Sequence, residues 1–331
     1  MIVIDRAGTQ FALVVSPNGV LLGAVTDGDI RRGILKNIAL EAPVESVMNH
    51  KPFKLPEGTS REDALSLLQQ RHISHVPLVN SEQVIRNVIS FDDVNITTTR
   101  TNTVILMVGG LGSRLGELTS NCPKPMLKVG GKPILEIIVE NLREHGFRDF
   151  VFCVNYRADM ILSHFGDGRT FGINIRYVQE SKRMGTAGAL TLLPDDVHGP
   201  LLIMNGDIVT KVNFTQFLDF HKQSGALASM GVRKYDFQIP FGVVDTHEGR
   251  ITQIQEKPIH SLLVSAGIYI VEKQALTYVE KDTFFDMPQL FETMIAADVY
   301  TQAFPIHEYW LDIGRETDLT QAQNEYGGSP N

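Results

Sequence analysis

The chain has 331 residues, 43% hydrophobic and 21% charged, enough for two domains with packed cores. A formal net charge of −8, with no basic run longer than Arg31-Arg32, argues against a nucleic-acid-binding surface. Two cysteines, Cys122 and Cys153, leave no disulfide framework to expect and fit a reducing cytoplasm, and neither a signal peptide nor a bilayer-length apolar run is expected.

The first hundred residues contain a repeat. Val14 to Asp29 aligns without gaps on Leu78 to Asp93, an offset of 64 positions. Each copy reads as strand, tight turn, strand and a Thr/Ser-x-x-Asp step into a helix. Ahead of the second copy, Thr59 or Ser60 is placed to cap a helix with Ala64, Leu65, Leu67 and Leu68 on its apolar face. The pattern resembles a pair of CBS motifs. That resemblance points to Thr26, Asp29, Ser90 and Asp93 as contacts for the phosphate and ribose of a regulatory nucleotide. Two other readings fit: plain helix capping beside an empty cleft, and a module that serves only to dimerise the protein. By the same offset Met1 falls on Leu65, so the first copy is short at its front, through truncation or because the motif is incomplete.

Asn95 to Thr103 is polar, threonine-rich and without periodicity, which predicts a linker between a module at 1–98 and a second domain at 101–331. Beyond it, strand-like runs at Thr103–Val108, Phe150–Asn155 and Leu201–Asn205 alternate with helical patterns at Ile134–His145 and Ala158–Phe165. The alternation predicts an α/β fold: a Rossmann-like, mainly parallel sheet with helices on both faces, beside a smaller N-terminal α+β domain. Ligand should sit at the carboxyl ends of the strands.

The first long strand runs into Gly109, Gly110 and Gly112, followed by Ser113, Arg114 and a lysine, Lys124, held between Pro123 and Pro125. Backbone N–H groups without Cβ atoms can close on an oxyanion, and the two cations suit a triphosphate. A Walker A loop needs Gly-Lys-Ser/Thr, which is absent. A dinucleotide fingerprint needs tighter glycine spacing and a carboxylate about twenty positions on. A ligand-free glycine turn is the third reading, and the cations weigh against it. The ten histidines form no HExxH or Cys/His cluster, so zinc is not expected.

Met107 to Leu115 with Asn121 to Met126 is similar to the signature of the sugar-1-phosphate nucleotidylyltransferases. Further blocks follow in family order: Met184 to Ala189, Asn205 to Asp207, Pro240 to Val244, Glu256 to Pro258, Ser265 to Tyr269 and Trp310 to Gly314. Val108 stands where the family usually has alanine, and Ser113 where it often has threonine. The resemblance implies attack by a sugar-1-phosphate on the α-phosphorus of an NTP, with release of pyrophosphate. It assigns catalytic roles to Arg114 and Lys124, and Mg²⁺ to Asp207 and Asp312. Gly109, Gly110, Gly112, Ser113, Gly185 and Thr186 would bind nucleotide; Gly242, Glu256, Lys257 and Gly267 would bind sugar phosphate. For the glycines, turn chemistry alone is an open alternative, and for Glu256-Lys257 a solvated surface pair is. Cys122 and Trp310 read as structural.

The CBS-fused guanylyltransferases of bacterial legionaminic acid synthesis, which make GDP-glucosamine, are the most similar group. Mannose-1-phosphate guanylyltransferases and uridylyl- or thymidylyltransferases acting on glucose-1-phosphate are the alternatives. Only a short tail follows Gly314, so no hexapeptide-repeat acyltransferase domain is expected. A nucleotide sensor that has lost catalysis is the reading of another class; it would lack some of Arg114, Lys124, Asp207 and Asp312, and all four are present. A cytoplasmic homo-oligomer is expected, with no nucleic-acid or membrane partner.

Overall fold

Residue 4 and residues 11–71, 73–90, 99–110 and 112–326 are described by a computed structural model. Contacts divide the chain into two units, 1–97 and 98–331.

In the first unit, β1 (Phe11–Val15) and β2 (Leu21–Thr26) pair antiparallel and lead into α1 (Asp27–Leu35). β3 (Leu55–Pro56), α2 (Arg61–Arg71), β4 (His75–Val79) and β5 (Ile85–Ser90) follow, the strands forming a three-stranded sheet. Ser60 caps α2 by accepting from the Asp63 N–H at 3.1 Å, while the Thr59 hydroxyl turns back to the Pro56 carbonyl. Strands β1 and β4, like β2 and β5, stand 64 positions apart, the spacing of the repeat.

Equivalent residues of the two copies meet each other. Phe11 and His75 stack with ring centroids 4.9 Å apart, and Val20 forms a bridge with Val84. Gly19 and Gln83, both at positive φ, accept from the N–H groups of Ile85 and Leu21. Only a local twofold axis brings like residues together in this way. Gln83 adopts the left-handed turn that Gly19 adopts without a Cβ, and two cross-copy hydrogen bonds help hold it there.

The second unit opens with β6 (Arg100–Met107), a small hairpin of β7 (Lys128–Val129) and β8 (Lys132–Pro133), and α3 (Ile134–Glu144). In α3, Ile134, Leu135, Ile138, Val139 and Leu142 are buried, the stripe a 3.6-residue period puts on one face. Then come β9 (Phe147–Val154), α4 (Ala158–Phe165), β10 (Asn174–Gln179), the single turn α5 (Gly185–Gly188), β11 (Leu201–Asn205) and β12 (Ile208–Thr210). The remainder is α6 (Phe214–Ser224), β13 (Ala228–Gln238), β14 (Gly242–His247), β15 (Arg250–Glu256), β16 (Ile259–Val271), α7 (Met287–Ala296), β17 (Thr301–Pro305), β18 (Trp310–Asp312) and α8 (Glu316–Tyr326).

The central sheet has the order β10-β9-β6-β11-β16-β13-β17, with β16 antiparallel to both neighbours and every other pairing parallel. Alternation along each strand feeds two cores. Val104, Leu106, Phe150, Phe152, Leu202 and Met204 join one; Ile105, Val151, Cys153, Leu201 and Ile203 join the other. The mainly parallel sheet with both faces covered is the expected fold class.

The linker expectation needs a correction. Arg100 to Thr103 belongs to β6, with Arg100 paired to Phe147 and Thr103 to Asp149. Asn102 and Thr103 are buried despite their polarity because both are satisfied: Asn102 Nδ2 donates to the Pro200 carbonyl at 2.8 Å, and the Thr103 hydroxyl to Asp149 at 2.8 Å. Apolar periodicity cannot report a strand that enters the core on hydrogen bonds.

Candidate active site

The carboxyl ends of β6, β9, β10 and β11 share one edge of the sheet. Beyond β6, Gly110 is open to solvent and Gly112 takes a left-handed φ of 65°. A Cβ on Gly112 would lie 2.9 Å from Thr119 Cγ2 and 3.1 Å from Lys124 Cβ, so glycine lets the loop close against the lysine. The Thr119 hydroxyl donates to the Gly112 carbonyl at 3.0 Å, and Leu115 is buried beneath. Ser113 and Arg114 open the next short helical segment and remain exposed.

Lys124 forms the centre of a charged corner. Its side chain is only 8% exposed, and its ammonium lies 2.5 Å from Asp207 Oδ2 and 3.7 Å from Asp312 Oδ1. β12 and β18 bring these distant carboxylates together by pairing antiparallel with Ile208 opposite Asp312, and the Ile313 N–H donates to the Asp207 carbonyl at 3.0 Å. Gly206 makes the turn possible, since a Cβ there would strike Val108 Cγ1 at 2.5 Å. Burial, and next the Asp207 charge, push the Asp312 carboxyl above its ordinary range, against the pull of Lys124 and Arg114. Arg114 stands near this carboxylate: a Cβ on Gly314 would be 3.8 Å from its Nη1 and 3.9 Å from Asp312 Oδ1.

Asp207 Oδ1, Asp312 Oδ1 and Asn205 Oδ1 are all buried without a hydrogen-bond partner. Three hard oxygen donors in that state fit a divalent cation such as Mg²⁺, which takes carboxylate and carbonyl oxygens. The sequence reading assigned the metal to Asp207 and Asp312 and gave Asn205 no role. Its signal was present in the Asn-Gly-Asp turn, but side-chain direction was not.

Gly185 takes a φ of 76°, and a Cβ on it would fall 2.6 Å from the Phe285 carbonyl oxygen. The Thr186 N–H donates to Asp286 Oδ1 at 2.9 Å, and its hydroxyl accepts from the Met287 N–H at 2.9 Å. Thr186 therefore locks its loop to the start of α7, an attachment that its sequence neighbours do not signal. Gly109 lies against two residues to which the sequence reading gave no role, Asn155 and Glu180: a Cβ on Gly109 would be 3.0 Å from Asn155 Cβ and 3.0 Å from Glu180 Oε1.

The four residues expected at the sugar phosphate divide between two places. Gly242 pairs with Glu256 across β14 and β15, and a Cβ on Gly242 would lie 3.0 Å from Glu256 Oε2. Lys257 follows at a φ of 47°, exposed, its N–H donating to the Phe241 carbonyl at 3.3 Å. Gly267, at a φ of 69°, belongs instead beside the charged corner, where a Cβ would lie 2.8 Å from Asn205 Nδ2. The Trp310 indole donates to the Ala266 carbonyl next to it at 2.9 Å, and Cys122 is half-buried with its thiol on the Pro123 carbonyl.

In the first unit Thr26 and Asp29 form a reciprocal capping box on α1, and Asp29 also pairs with Arg32 at 2.6 Å. Their polar atoms are thus engaged in capping. Ser90 ends β5, and Asp93 lies outside the described residues.

An open, doubly wound sheet with a glycine loop, two cations and a carboxylate pair at its carboxyl edge defines an α/β domain suited to a polyanionic ligand. The chain belongs to the nucleotidyl transferase family, whose model matches residues 103–328. A CBS domain model matches residues 44–95. The mannose-1-phosphate guanyltransferase of Yarrowia lipolytica is 32% identical over 230 residues, covering 65% of this chain and 61% of the relative. That of Schizosaccharomyces pombe is 31% identical over 223 residues with the same coverage. The chain thus spans about three fifths of the length of these curated relatives. Among solved structures, a Bacillus anthracis protein in complex with a sucrose superposes at a TM-score of 0.57, with 23% identity, over 69% of this chain and 96% of its own. HddC from Yersinia pseudotuberculosis, solved with GMP-PN, gives 0.54 and 23% identity over 68% of this chain and 99% of its own. These structures establish a shared fold. No helix among the described residues is long and apolar enough to cross a membrane.

Proposed function

We propose that this protein is a sugar-1-phosphate guanylyltransferase, joining GTP to a sugar-1-phosphate with release of pyrophosphate. The observation that carries the reading is the convergence of Lys124, Asp207 and Asp312, with Arg114 alongside, at the carboxyl edge of the sheet. A phosphate oxygen of the sugar attacks the α-phosphorus, a new P–O bond forms, and the bond to the β-phosphate breaks. Both reactants are polyanions, so charge neutralisation and alignment are the main tasks. Lys124 stabilises charge at the α-phosphate, and Arg114 holds the β- and γ-phosphates of the leaving pyrophosphate. No general base is required, since the attacking oxygen is already ionised near neutral pH. Asp207, Asp312 and Asn205 would hold Mg²⁺, which would supply Lewis-acid neutralisation of the phosphates. Glu256 and Lys257, with Gly242, receive the sugar phosphate.

The names of the relatives support mannose-1-phosphate as the sugar. The CBS match supports glucosamine-1-phosphate as a second reading, because the resemblance to the legionaminic acid enzymes rests on that fusion. A regulatory nucleotide at the CBS unit, a homo-oligomer and a cytoplasmic location belong to the same proposal. A pyrophosphate-release screen of four NTPs against mannose-, glucosamine- and glucose-1-phosphate tests it. GTP with mannose- or glucosamine-1-phosphate should dominate, and chelation should abolish release. Release from UTP or dTTP alone would overturn the guanylyl assignment; no release under any pairing would favour a sensor.

A further inference from the structure

We propose that Asp318 is a positioning residue for the metal: from α8 it fixes the turn that follows Asp312, and so orients the Asp312 carboxylate beside Asp207. The inference rests on the metal assignment within the proposed function and extends it to a residue outside the donor set. Asp312 ends β18, and Ile313, Gly314 and Arg315 lead from it into α8. The N–H groups of all three are tied down. Ile313 donates to the Asp207 carbonyl at 3.0 Å, while Gly314 and Arg315 both donate to Asp318 Oδ2, at 3.0 and 2.7 Å. Asp318 itself is held by its helix, whose Leu319 and Ala322 are buried in the same core as Ile313. A Cβ on Gly314 would lie 3.5 Å from Asp318 Oδ2, 3.8 Å from Arg114 Nη1 and 3.9 Å from Asp312 Oδ1. One glycine therefore stands among the charged corner, its arginine and the proposed anchor.

Helix capping is the rival account. Asp318 is the third residue of α8, and accepting the N–H just ahead of the helix is half of a capping box. That role needs only the Arg315 bond. The second bond reaches one residue further back, to Gly314, whose N–H also points at the Asp312 carbonyl at 2.9 Å. Its effect falls on the turn behind Asp312 and not on the helix. Partners that orient metal-ligating side chains commonly contribute about 10- to 100-fold to metal affinity, because less ordering is left to be done when the ion binds.

Mn²⁺, which shares the preference of Mg²⁺ for oxygen ligands, is the probe, titrated into the full chain by electron paramagnetic resonance without substrates. Loss of the signal in Asp207→Asn identifies the site. In Asp318→Ala the dissociation constant should rise by about tenfold. Asp318→Asn keeps an oxygen that can accept the same two N–H groups and should stay within about threefold of wild type. Wild-type affinity in Asp318→Ala, with only a lower thermal midpoint, would show a helix cap and overturn the inference. Equal losses in the alanine and asparagine variants would make the charge responsible and overturn it too. Should the alanine variant not fold, Asp318→Glu preserves the charge but displaces the oxygen by one methylene. Binding should then weaken about fivefold, the value of one hydrogen bond, and unchanged affinity would overturn the inference. None of these results touches the choice of base or sugar. If the wild type binds no Mn²⁺, the metal assignment fails and this inference with it.

Discussion

Lys124 and Lys257 are both lysines fixed by a following proline, and the fold treats them in opposite ways. Lys124 is buried and lies within 4 Å of two carboxylates. Lys257 is exposed on the arm of β14 and β15, has no ion pair among the described residues, and is held only through its backbone, which accepts from Gln238 and donates to Phe241. Around it Phe241, Ile251, Ile254 and Ile259 are also exposed. The charged corner holds its lysine in place through two carboxylates, whereas the arm presents a cation in an uncommon backbone conformation to solvent. A preorganised cation suits transition-state charge, and a solvated one suits capture and positioning.

Substitutions can break this contrast. Asp207→Asn removes a charge from the corner and should lower kcat by on the order of 10²–10³-fold, with a thermal midpoint close to wild type. Retained pyrophosphate release in that variant would end the assignment. Lys257→Ala should act mainly on the KM for sugar phosphate, by about fivefold, because a solvated charge is worth about 1 kcal/mol. A loss confined to kcat would instead make the arm part of the chemistry.

Gly267→Ala tests whether the corner depends on close backbone approach. The new Cβ would meet Ile208 Cδ1 at 2.6 Å at a left-handed φ, and stability should fall by about 1–3 kcal/mol in denaturant titration. The smallest effect is expected at His145, remote from both lysines in sequence and bonded to the Asn141 carbonyl at 2.9 Å. Burial holds its pKa below the ordinary value. The unfolded chain therefore takes up the proton first as pH falls below about 6.5, so the contribution of His145 is full above that pH and declines beneath it. His145→Gln should flatten the acid-side slope of the thermal midpoint.

Much of this was legible along the chain. The helix at Ala158–Phe165 and the strand at Leu201–Asn205 carry their period within a few residues, and the 64-position repeat located both strand pairs of the first unit. Asn102 defeated that logic because its burial depends on the Pro200 carbonyl, which no local pattern connects to it. The bond between Thr186 and Asp286 was equally out of reach, because the two lie 100 residues apart in the chain.

By itself the amino-acid order determined which residue types were on offer: a glycine loop, two proline-fixed lysines, an Asn-Gly-Asp turn and a late aspartate. Those follow from local backbone chemistry, which a short window contains. Only the tertiary structure decided that Ile208 would pair with Asp312, that three carboxylate and amide oxygens would be left without partners, and that Glu180 would come to rest over Gly109. Such meetings depend on strand order and register, and those are set by the summed packing of both cores, not by any one segment.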